Sequence, residues 1–261
     1  MNTFLHNPVI GAPPRLPLEI PARAPLAPGR AAWDGAALGM RPSTTSLWAL
    51  PLAGALLVAL PVFLQAPWVR LAPFSAAVFT AALLLAGVVL AQRRSAAWST
   101  AGVLLVGFSG SWLAGCLFWG WLRLHPLVHL PVEAFALPLA LAGLSGPWRR
   151  AGQFYLGALA GTAATDGAIA LCGLMPLWPA VLAAGPGEAA PLLAEAAARV
   201  LEPSHLLTVA SIAGVMLAAA ALLWRRGPGG RLVAACLLST LAIDGLFLLL
   251  ALVLPTASGL V

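Results

Sequence analysis

Lysine is absent from this chain, and charge of either sign is scarce. Of its 261 residues, 14 are basic, all of them arginine, and 8 are acidic. Soluble domains are usually about 25% charged. At 8% charged and 61% hydrophobic, this chain is not an ordinary water-soluble protein. The lack of lysine also excludes a retinal Schiff base, which needs a lysine amine. Cysteine is almost missing. Cys116, Cys172 and Cys236 each stand alone in an apolar run, with no CxxC pair, so there is no disulfide framework and no thiolate metal site. Small core residues are the default reading for all three. No P-loop, HExxH or paired DxxxD motif occurs.

What is present in quantity is apolar sequence in long runs. A membrane helix takes about 20 predominantly apolar residues. Runs at about 46–65, 71–92, 99–122, 127–145, 152–174, 206–224 and 231–254 predict an all-α polytopic bundle of about seven transmembrane helices, occupying 45–261 as one domain in a lipid bilayer. APWVR at 66–70 reads as a short turn closing the first run. Residues 1–44 carry Pro13, Pro14, Pro17, Pro21, Pro25 and Pro28 with four arginines, and no run long enough for a signal-peptide core. They predict a disordered cytoplasmic tail. Within the long connection 175–205, PLLAEAAARVLEP predicts one short amphipathic helix lying on the membrane surface, starting at Pro191 and stopping before Pro203. Leu192, Leu193, Ala196 and Val200 share one face, and Glu195, Arg199 and Glu202 another. Glu195 and Arg199 are four residues apart and are expected to pair.

The arginines sit in the connections. With seven spans, the N-terminal side receives Arg15, Arg23, Arg30, Arg41, Arg93, Arg94, Arg149, Arg150, Arg225, Arg226 and Arg231, and the far side only Arg70, Arg123 and Arg199. That asymmetry predicts a cytoplasmic N-terminus and a C-terminus on the opposite side. Scattered in short pairs between apolar runs, these arginines form no phosphate-binding patch, so nucleic acid is excluded as a partner.

Ionisable residues inside a membrane are costly and mark function. The fifth run contains TAATDG at 162–167 and the seventh TLAIDG at 240–245, both of the form TxAxDG. A rise of about 1.5 Å per residue places Asp166 and Asp244 at matched depth, roughly 20 Å below the cytoplasmic face. Thr162 and Thr240, four residues earlier, share a face with each carboxylate and are expected to reach it. One reading is a pair of buried acids that carry protons or a cation. The other is that each acid accepts hydrogen bonds and fixes packing.

The stretch 119–138, WGWLRLHPLVHLPVEAFALP, spaces His125, His129 and Glu133 four and four apart. On one continuous helix all three would share a face, a composition that suits Zn, Fe or Cu. Pro126, Pro131 and Pro138 oppose a continuous helix. The simpler reading is an interfacial turn with Trp119 and Trp121 in the aromatic belt. Gly107, Ser111 and Gly115, and separately Gly157 and Gly161, recur every four residues and predict close helix packing. GFSG at 107–110 has the GxSG form of intramembrane serine proteases, but the late runs offer no histidine partner within the membrane.

LPVFLQAPWVR at 60–70, GFSGSWLAGCLFWGWLRLHPLVHLPVEA at 107–134, YLGALAGTAATD at 155–166 and LSTLAIDGLF at 238–247 resemble a family of cyanobacterial multi-pass membrane proteins known only as a domain of unknown function. The resemblance covers roughly 46–252 and implies a plasma-membrane or thylakoid protein. It supplies no catalytic residues. Three classes of function follow. The first is a small permease or proton-coupled carrier, with Asp166 and Asp244 in the pathway and Glu133 near its mouth. The second is a structural or assembly partner of a larger membrane complex, such as a photosynthetic one. The third is a metal-, haem- or chlorophyll-binding protein using His125 and His129. Matched intramembrane acids favour the first, although seven spans do not divide into the paired repeats common in transporters.

Overall fold

Inside hydrocarbon, a chain that is not a closed barrel must satisfy its backbone N–H and C=O groups within helices. The computed structural model describes residues 44–254, and among them every regular element is a helix. The expected tail at 1–44 lies, except for Thr44, outside the described residues. Helix α1 (Thr44–Leu60) passes through a π-helical turn (Pro61–Gln65) into α2 (Ala66–Leu71). It is followed by α3 (Pro73–Ala91) and by α4 (Ala96–Leu117), which ends in a second π turn (Phe118–Leu122). The next stretch is broken into a 3₁₀ turn (Pro126–Val128), α5 (His129–Glu133) and α6 (Leu137–Gly143). Then come α7 (Arg149–Leu171), α8 (Leu177–Ala183), α9 (Pro186–Val200), α10 (Pro203–Trp224) and α11 (Gly227–Val253). Proline stands in the first two positions of many of these helices, where its missing N–H would have had no partner anyway.

Among the described residues, seven segments are long and apolar enough to cross a membrane: Trp48–Leu71, Pro73–Ala91, Ala96–Leu122, Pro126–Gly143, Arg149–Leu171, Pro203–Trp224 and Gly227–Val253. Three boundaries differ from the sequence expectation. Residues 66–70 continue the first helix instead of turning, because a π turn absorbs Pro61 without ending the segment. The fourth segment breaks around Pro126, Pro131 and Pro138, each of which withholds a backbone donor. The amphipathic helix begins at Pro186, so Pro191 lies inside it. Ala197 and Val200 on its apolar face are buried, and α9 packs on α11 and α10. The Glu195–Arg199 pair forms on its outer side at 3.0 Å.

The odd-numbered segments build an inner ring. The third meets the fifth where Gly107 lies against the Ala151 backbone and Phe108 meets Phe154, ring centroids 6.3 Å apart. The seventh meets the first through Ser239, whose Oγ donates to the Ala55 carbonyl at 3.1 Å. The first closes on the third through Gln65, whose Nε2 donates to the Trp112 carbonyl and lies 3.0 Å from Cys116 Sγ. The fifth and seventh share the longest seam. Gly157 faces Cys236, Gly161 faces Thr240, and Thr165 bonds Asp244, every pair 79 residues apart. A constant offset means two parallel helices in register. The even segments pack outside as hairpin partners of the ring. Trp112 Nε1 donates to the Ala76 carbonyl at 3.0 Å between the third and second, and α6 lies on α7 and α10 on α11.

Candidate functional site

A cavity of about 510 Å³ lies within the ring, walled in part also by α5, α8 and α9. Much of its wall is aliphatic, from residues such as Leu57, Val58 and Val62 of the first segment and Ile243 of the seventh. Asp166, Asp244 and Glu133 also open onto it. These are all the acids that the seven candidate membrane segments contain. The two aspartates sit 17 residues into α7 and α11, and those helices run side by side in the same direction.

The motif similarity places the acids at one depth but gives them different partners. Equivalent positions of the two TxAxDG strings are 78 residues apart, whereas the seam runs at 79. One residue is about 100° around a helix at 3.6 residues per turn. Thr165 rather than Asp166 therefore faces the seventh segment, where its Oγ1 donates to Asp244 Oδ2 at 2.6 Å. Asp166 turns toward the broken fourth segment and meets His129, with Nδ1 at 2.9 and 3.0 Å from its two carboxylate oxygens. Thr162 and Thr240 line the cavity but do not reach the carboxylates. Their hydroxyls donate to carbonyls of their own helices, Ala158 at 3.4 Å and Cys236 at 3.1 Å.

The break in the fourth segment positions the rest. A 3₁₀ turn after His125 separates it from α5, so His125 is exposed and does not line the cavity, while His129 begins α5 and points inward. The continuous HxxxHxxxE face is thereby lost, because Pro126 starts a new helix between the two histidines. His129 and Glu133 remain one turn apart on α5, with Nε2 3.9 Å from Glu133 Oε1. Among the described residues, no group of three His, Cys, Asp or Glu side chains is arranged to hold a metal ion. Tyr155 of α7 locks the unwound turn by donating to the Glu133 carbonyl and accepting from the Ala136 N–H at 3.1 Å.

Aromatic rings enclose His129. Phe118 lies 4.1 Å from it, centroid to centroid, Trp178 5.9 Å and Trp119 6.1 Å. Trp119 and Trp178 stack at 5.8 Å, and Trp178 is anchored by donating from Nε1 to the Arg123 carbonyl at 2.9 Å. Together with Leu193 of α9, these two rings form the cavity wall contributed by the connection and the end of the third segment.

Tyr155, Trp178 and Gln65 escaped the sequence reading. Gln65 had a signal, as a lone amide in the apolar run LPVFLQAPW. Tyr155, the single tyrosine of the chain, had none that points to Glu133.

No curated protein and no solved structure matches the chain. One protein-family model does, over residues 54–252, a stretch that holds every cavity residue named above.

Proposed function

The chain belongs to the family described as Protein of unknown function (DUF3120), and on its cavity we propose that it is a proton-coupled membrane carrier. One observation carries the reading. All three acids of the candidate membrane segments converge on a single cavity within the ring of odd segments, and a histidine joins two of them. Two of the acids accept hydrogen bonds between helices, yet all three also open onto the cavity, which packing alone does not require. A cavity of this size is the dimension of a small-solute site.

In this reading Asp244 faces the solute, and His129 is a two-ended proton path with Asp166 at Nδ1 and Glu133 beyond Nε2. The aromatic pair Trp119–Trp178 and Leu193 form the gate at one end, and the packed rings of Phe108, Trp112 and Phe154 close the other. The arginine asymmetry supports a cytoplasmic N-terminus, which sets the cavity in the far half of the bilayer. The family strings support a cyanobacterial plasma membrane or thylakoid as its location.

Proteoliposomes enclosing a pH-sensitive dye test this. They are challenged in turn with small ammonium, carboxylate and neutral solutes. At least one class drives proton movement in the wild type, and Asp166→Asn and Asp244→Asn each slow it by about tenfold or more at unchanged membrane abundance. Disappearance of both variants from the membrane, or movement that ignores the substitutions, overturns the carrier and leaves packing as the role of the acids.

A further inference from the structure

We propose that the solute is a protonated amine borne on an apolar body; this rests on the carrier reading for transport, and on the cavity alone for binding. The first argument is charge. The lining residues include three carboxylates and one imidazole, and no arginine. In a site of low dielectric an anion would face three carboxylates with a single imidazole already held between two of them, whereas a cation is attracted.

The second argument is hydrogen-bond polarity. Gln65 is 1% exposed and lines the cavity. Its Nε2 is committed to the Trp112 carbonyl and Cys116 Sγ, which fixes the amide orientation. Its Oε1 lies against Gly115, with no donor among the described residues. That oxygen is open to a hydrogen bond from a ligand N–H in the cavity. The lining threonines have likewise spent their protons on Ala158, Cys236 and Asp244, leaving oxygen lone pairs toward the space. Asp244 has one oxygen bonded to Thr165, and the other has no partner among the described residues. Apart from Ser111, whose hydroxyl can also donate, these polar groups offer acceptors to the cavity.

The third argument is shape. Aliphatic side chains and the Trp119 ring, whose face attracts cations, surround these few polar groups. The remainder of the ligand is therefore apolar, and the ammonium group is its only strongly hydrated part.

Binding to the purified full chain in detergent is measured calorimetrically with phenethylammonium, its N-trimethyl analogue, 2-phenylethanol and 3-phenylpropanoate. Phenethylammonium is expected to bind tightest, with the trimethyl cation weaker for lack of N–H donors and 3-phenylpropanoate not detectable. Asp244→Asn weakens phenethylammonium about 10- to 100-fold, and Gln65→Leu about 3- to 10-fold. The comparison among ligands on the wild type needs no variant to fold. Equal or tighter binding of 3-phenylpropanoate, of 2-phenylethanol or of the trimethyl cation overturns the proposal. Amine binding without amine-driven proton movement removes the carrier and keeps the site; proton movement driven by a carboxylate or neutral solute does the reverse.

Discussion

Thr165→Val distinguishes the seam seen in the structure from the pairing suggested by the sequence. Valine keeps the branched shape of threonine, so the change removes one hydroxyl and little volume. The lost bond spans α7 and α11 at 2.6 Å and ends on a carboxylate, within the range of charge-assisted O–H···O bonds. Hydrogen bonds between membrane helices average about 0.6 kcal/mol and reach about 1.7. A carboxylate acceptor lifts the expectation to the upper part of that range, so the cost is about 1–1.7 kcal/mol, a factor of roughly 5–18 in the folding equilibrium. Thr162 and Thr240 return their hydroxyls to carbonyls one turn back on their own helices, which already serve in the backbone ladder. Thr162→Val and Thr240→Val should therefore each cost less than about 0.5 kcal/mol. Reversible unfolding in mixed micelles measures all three. In an Asp244→Ala background the cost of Thr165→Val should fall close to zero, since the acceptor is gone. If Thr162→Val or Thr240→Val destabilises as much as Thr165→Val, the 79-residue register is wrong.

Two further contrasts follow from the same geometry. Gly161→Ala sets a methyl group against the Thr240 side chain, which is stiff at its branched carbon, and should cost about 1–3 kcal/mol in the same unfolding assay. Gly167→Ala, with nothing within 4 Å of the added carbon, should instead stabilise α7 by about 0.5–1 kcal/mol. His129→Ala should abolish solute-driven proton movement in proteoliposomes, whereas His125→Ala, on an exposed residue outside the cavity, should leave the rate at the wild-type value.

The seven segments were legible because each is a long apolar run whose period and length admit one structure in hydrocarbon. The acids were legible for the opposite reason, as the rare charges in those runs. Their partners were not. The TxAxDG match equates Asp166 with Asp244, yet contacts between two helices depend on how each is rotated, and a one-residue difference between motif spacing and seam sent the two acids to different neighbours. His125 and His129 looked equivalent in spacing, but Pro126 starts a fresh turn between them, and only the second points inward. Trp178 lies in the connection ahead of the predicted amphipathic helix, and nothing in its local sequence shows that it stacks on Trp119.

The parallel ring has a consequence of its own. Each inner helix carries a macrodipole with about half a negative charge at its C-terminal end, and because the odd segments run the same way these ends lie together. Asp166 is five residues from the end of α7, and Gln65 six from the end of α2. The C-terminal carbonyls of the ring therefore add negative potential at this end, opposed in part by the N-terminal ends of the even segments that start there. Carbonyl groups cannot be protonated away or substituted, so part of the field that a cation would meet here belongs to the fold itself and persists when all three carboxylates are neutralised.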